Sequence, residues 1–141
     1  MEKIKSILTD AVKNLTGDAT CVVARPGKEI EISREKGIRP LLLWLRADED
    51  SLQGAVIADR IIGRAAAFLA VYGGVRAVYG EVMSVGAVPI LEGAGIVYSY
   101  KTITEKIVNR KGDGPCPMEQ AVFGMTDPSR AAAILQAKVF G

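Results

Sequence analysis

The sequence predicts an α/β domain, a three-layer α/β/α sandwich around a mixed sheet. Two observations carry that prediction. From Gly54 onward, short apolar runs alternate with helical patterns, the signature of parallel strands joined by right-handed crossovers. Before them, "ATCVVA" and "EIEIS" flank the turn pair Pro26-Gly27, which reads as a hairpin and adds an antiparallel strand pair. With 141 residues and no repeat, linker or low-complexity tract, residues 1–141 read as a single domain.

Each element has its own signal. Residues 2–15 place Ile4, Ile7, Leu8 and Leu15 on one helical face, with Gly17 just beyond. The hairpin strands are Thr20–Ala24 and Glu29–Ser33. "LLLWLRADE" reads as a short buried helix entered near Pro40. Gly54–Ala58 is a short strand that runs into a helix, "DRIIGRAAAFLAVYGG", with Asp59 as N-cap and Gly73-Gly74 as its stop. Gly63 and Ala65–Ala67 leave little bulk on that helix, so it can lie close against the sheet. Val75–Met83 is a strand, and the next helix is entered through Ser84 and stopped at Gly93 or Gly95. "IVYSYKTI" is a strand and "KIVN" an edge strand. The tail helix has Asp127 as N-cap, Pro128 in first position and an apolar stripe of Ala132, Ile134, Leu135 and Val139.

Composition excludes several function classes. The net charge is +2, with 18 basic and 16 acidic residues intermixed, so neither nucleic acid nor an anionic membrane is an expected partner. The opening "MEKIKSILTD" has charges throughout and no apolar core, so no secretory signal is expected there. Two cysteines, Cys21 and Cys116, are expected to be free thiols of a cytoplasmic protein. The chain contains no histidine, which removes Ser-His-Asp and Cys-His catalysis and His-liganded zinc. Two cysteines cannot complete a Cys₄ or Cys₃His site. No metal and no cofactor are therefore expected.

The element order, with "EVMSVGAVPILEGAGI" at Glu81–Ile96 as its best segment, resembles the cytidine deaminase-like superfamily. That resemblance implies a leading helix, a hairpin, and two βα units whose helix N-termini face one another across the active site. Sliding the family's zinc motifs onto this chain puts Ser84 and Ala87 where the Pro-Cys-x-x-Cys cysteines would stand, and Ala58-Asp59-Arg60 where the His/Cys-x-Glu start would stand. Every ligand position is empty, so the resemblance implies the fold without the activity. The strings "ADRIIGRAAA", "LEGAGI", "IVNR" and "GPCPME" further resemble a domain-of-unknown-function family with this fold and no zinc site, over most of residues 1–125.

The candidate site gathers around two helix starts and one loop. "NRKGDGPCPME" offers Asn109 and Arg110 at a strand end, then a Gly-Asp-Gly loop into a helix whose amides suit a carboxylate or phosphate. Cys116 at that helix start would be a nucleophile with Glu119 as base, or merely a helix-start residue with Glu119 favouring the dipole. Arg64, in a crowded apolar helix, needs either a carboxylate such as Glu81 or Glu119, or a bound anion. Asp59, Gly63 and Ser84 complete the expected ligand-binding set. Glu81 and Glu92 read either as a carboxylate pair or as solvated surface. Three functions remain open at this point. The first is metal-independent binding of a nucleotide or other anionic metabolite. The second is an enzyme using Cys116 with a carboxylate base. The third is a structural or regulatory homo-oligomer assembled through the apolar face of the last helix.

Overall fold

A computed structural model describes residues 2–108, 111–112 and 114–141. Eleven elements run in the order α1 (Glu2–Lys13), β1 (Cys21–Ala24), β2 (Glu31–Ser33), α2 (Arg39–Ala47), β3 (Val56–Ile62), α3 (Arg64–Gly73), β4 (Ala77–Ser84), α4 (Ala87–Gly93), β5 (Val97–Thr104), α5 (Pro117–Val122) and α6 (Pro128–Phe140). They form one mixed five-stranded sheet of order β2-β1-β3-β4-β5. β1 is antiparallel to both β2 and β3, while β3, β4 and β5 are parallel, as crossover helices α3 and α4 require.

Alternation along the strands builds two cores. Val22, Ala24, Val56, Ala58 and Ala77 face α1, whose Ile4 and Ala11 close that side together with Leu15 just beyond the helix. Cys21, Val23, Ile57 and Val78 face the opposite core, with Leu41, Leu42, Leu45, Leu69, Leu91 and Leu135 from α2, α3, α4 and α6. The expected three layers are therefore present. α3 is the central helix: Ala65 to Ala70 are all buried, between the sheet and α6. Its alanines permit that close approach on both sides.

The expected elements are found, with three corrections. Asp59 caps no helix: β3 continues to Ile62, and Gly63 is the N-cap of α3. Asp59 sits in mid-strand, opposite Cys21 on β1 and Gly80 on β4. An Asp before "RIIGR" fits a helix cap, but the β-branched Ile61-Ile62 extends the strand instead. The strand expected at "KIVN" reduces to one bridge between Val108 and Pro115, and Asn109 lies outside the described residues. α4 begins at Ala87 rather than at Ser84, whose hydroxyl accepts the Ala87 N–H at 3.2 Å. The apolar face of α6 is spent internally, with Ala131, Ala132 and Leu135 buried on α3 and its neighbours. Ile134 and Val139 of the same stripe are half-buried. The Asp127 cap is as expected, its Oδ1 accepting the Ser129 N–H at 3.0 Å. Among the described residues no helix is long and apolar enough to cross a membrane.

Candidate functional site

Where β3 hands over to α3, a cleft of about 1080 Å³ opens between the approach to α2 and the segment leading into α5. Its buried members are Asp59, Gly63 and Ala66, which form the floor. One wall comes from Cys116, Pro117, Met118 and Glu119, the other from Gly37 and Ile38. Four exposed cations stand around it: Arg34, Lys36, Arg39 and Lys111. Arg34 pairs with Asp18 at 2.8 Å and Arg39 with Glu35 at 3.1 Å. Neither Lys36 nor Lys111 joins an ion pair among the described residues.

Asp59 is the unusual group. It is 5% exposed, yet it borders the cleft. Its Oδ1 accepts the Ile61 N–H at 3.2 Å. The Cys21 thiol and the Arg60 amide also act on this carboxyl. Burial raises the carboxyl from 3.8 to about 7, against smaller opposing effects of the Ile61 amide, the Cys21 thiol and Arg60. The same burial, reinforced by the nearby Asp59, pushes the Cys21 thiol well above its usual range. Arg60 does not neutralise Asp59. Its guanidinium is held by the Ala19 and Gly17 carbonyls and by Glu81 at 2.8 Å.

Glu119 has a different employment from the one its position suggests. Its Oε1 accepts the Arg64 N–H at 2.7 Å and its Oε2 the Ala65 N–H at 2.8 Å. These are the first amides of α3, which Gly63 cannot cap because it has no side chain. The carboxylate therefore occupies the N-terminus of α3. A catalytic base for Cys116 is not what this geometry provides. Gly63 is required by the same arrangement, since a Cβ there would overlap the Glu119 carboxylate. Gly63→Ala is expected to cost about 1–3 kcal/mol as overpacking. In a Glu119→Ala background that cost should fall to near zero, which a double-mutant cycle by urea denaturation measures.

The expected site residues thus divide. Asp59, Gly63, Cys116 and Glu119 converge on the cleft. Ser84 does not line it, being engaged with the start of α4. Arg64 does not line it either: its guanidinium lies over the Phe123 ring, 5.0 Å from the centroid, and against Gly86 at the start of α4. Its side chain pairs with neither Glu81 nor Glu119. Glu81 serves Arg60, and Glu92 accepts the Tyr98 hydroxyl at 2.7 Å, so these two carboxylates form no pair. Asn109 and Arg110 lie outside the described residues. Lys36, Arg39 and Lys111 join Asp59, Gly63, Cys116 and Glu119 at the cleft without belonging to any motif. The available signal was "REKGIRP", three cations around a glycine before a proline-led helix with no acidic residue in its first turn.

A mixed five-stranded sheet with helices on both faces makes this an α/β domain. The chain belongs to the family described as "TM1506: Domain of unknown function (DUF1893)", whose model matches residues 10–139. Its fold is similar to that of a crystal structure of a DUF1893 family protein (TM1506) from Thermotoga maritima. The two are 26% identical with a TM-score of 0.84, over 95% of this chain and 90% of that one. Among curated proteins nothing matches.

Proposed function

We propose that this chain is a metal-independent binding domain for a small anionic metabolite, nucleotides included, on a cytidine deaminase-like scaffold. The observation that carries the reading is the cleft itself: about 1080 Å³, with an apolar and carboxyl floor beneath Lys36 and Lys111, which join no ion pair among the described residues. Ligand sites of drug-sized molecules span roughly 300–1,000 Å³, so a mononucleotide fits with room to spare. The scaffold assignment is supported by the leading helix α1, the β1–β2 hairpin and the two units β3-α3 and β4-α4. The starts of α3 and α4 also approach one another, with the Arg64 side chain lying against Gly86.

The residues present do not fit the zinc ion of active deaminases. At the start of α3 stand Gly63, Arg64 and Ala65, and at the start of α4 Gly86 and Ala87, none of which is a zinc ligand. The α3 amides are occupied by Glu119, and a guanidinium fills the approach to α4. No cluster of three His, Cys, Asp or Glu able to hold a metal exists among the described residues.

The reading is tested by thermal shift with the four ribonucleoside 5′-monophosphates. Ligand at a hundred times its Kd adds about 2.7 kcal/mol, a rise of several degrees in Tm. Lys36→Glu combined with Lys111→Glu should abolish that rise without lowering the Tm of the free protein, because both side chains are exposed. Cys116→Ala should keep it, since the thiol serves as wall and not as nucleophile. A flat panel in the wild type, or a rise indifferent to both lysines, overturns the reading.

A further inference from the structure

We infer that Asp59 is the specificity contact of the cleft, accepting a hydrogen bond from a hydroxyl or amino group of the ligand whose anion is met by Lys36 and Lys111. This inference rests on the binding reading above and names the chemistry the ligand must carry: an anion at one end, a hydrogen-bond donor at the other.

The geometry supports it in three ways. The carboxyl belongs to the floor, on the same sheet face as Ile57, and so looks out between the two walls of the cleft. One oxygen is taken by the Ile61 amide, and beyond it the described residues offer the carboxyl the weakly donating Cys21 thiol and the adjoining Arg60 amide. A carboxyl this buried is costly unless a partner compensates it. The guanidinium of its neighbour Arg60 is directed to Gly17, Ala19 and Glu81, so among the described residues no cation pairs with the carboxyl.

Proton linkage gives the inference a distinctive readout. Asp59 holds its proton part of the time near neutrality, with a value of about 7. A donor on the ligand favours the charged carboxylate, so binding expels the remaining proton. Among the described residues the other charged or titratable groups that face it are few. On β1 stands Cys21, a thiol that stays protonated; on β3 stands Arg60, already paired with Glu81 of β4. Across the cleft are Cys116, Glu119 and Lys111 on the α5 side and Arg34, Glu35, Lys36 and Arg39 on the α2 side.

The experiment is calorimetry in buffers of different ionisation enthalpy, using the nucleoside monophosphate with the largest thermal shift. Wild type and Asp59→Asn are compared, so that the phosphate's own titration cancels. At pH 7 the wild type should release about half a proton more per ligand than the variant, and at pH 9 the difference should vanish. Asp59→Asn should also weaken binding at least tenfold. With Oδ1 held by the Ile61 amide, the asparagine would turn its NH₂ toward the ligand's donor. Asp59→Ser serves as a second variant with no titration and the same expected losses. The matching 2′-deoxynucleotide locates the donor: loss of the extra proton assigns it to the ribose hydroxyl, retention to the base. Equal proton release and equal affinity in wild type and both variants overturns the inference while leaving the binding reading standing. No nucleotide binding at all defeats the reading beneath it.

Discussion

Asp59→Asn stabilises the folded chain at pH 8 and leaves it nearly unchanged at pH 4. The sign follows from the direction of the titration. The unfolded carboxyl ionises near 3.8 and the folded one near 7. Below 3.8 both states are neutral and the native fold carries no penalty. As pH rises from there, the unfolded state gives up its proton while the folded state keeps it, so stability falls. Above 7 both are ionised and the loss is complete, on the order of 4 kcal/mol for that gap. Asparagine does not titrate and keeps an oxygen for the Ile61 amide. Urea denaturation of both proteins at pH 4 and pH 8 reads the effect, and other carboxylates cancel in the difference. A variant no more stable at pH 8 than at pH 4, relative to wild type, would show that the carboxyl is not held neutral by its surroundings. A side chain that costs stability and faces a cleft is the trade expected of a functional residue.

Glu119→Ala acts in the opposite direction, lowering stability by about 2–4 kcal/mol. Two charge-assisted hydrogen bonds disappear with the carboxylate, and the Arg64 and Ala65 amides lose their acceptors in a crowded region. The favourable charge at the positive end of α3 goes with them. Because α3 is the helix on which the whole second core is built, fraying at its start is felt globally. Glu119→Gln keeps one acceptor but sets its NH₂ against an amide donor, so it should recover only part of the loss. Chemical denaturation distinguishes these cases. A Glu119→Ala variant within about 0.5 kcal/mol of wild type, the range of ordinary surface changes, would mean that the α3 cap is not held from α5.

Most of the fold is legible in the sequence because its signals are local. Asp127 with Pro128 specifies the start of α6, and Gly73-Gly74 stops α3, with Gly74 at φ 77° in the left-handed region. The alternating runs around Pro26-Gly27 specify a hairpin. The site is less legible because its decisive contacts are not local. Glu119 caps a helix 55 residues before it, and nothing at Gly63 announces that partner except the lack of any cap of its own. Asp59 reads equally well as a helix cap or as a buried strand residue, and only the extension of β3 to Ile62 decides between them. Cys116 and Glu119 stand in the expected neighbourhood, with Glu119 in a structural task. The cations of "REKGIRP" reach the same cleft from a segment that carries no motif.

The most direct test of the cleft as a binding site is a titration of ¹⁵N-labelled protein with the four ribonucleoside 5′-monophosphates, followed by amide chemical shifts. The account predicts saturable shifts that cluster at Thr20, Lys36–Ile38, Asp59, Gly63 and Cys116, all of which border the cleft. It also predicts that Lys36→Glu with Lys111→Glu removes them. Shifts that never saturate, or that gather on the α1 face of the sheet, would contradict it.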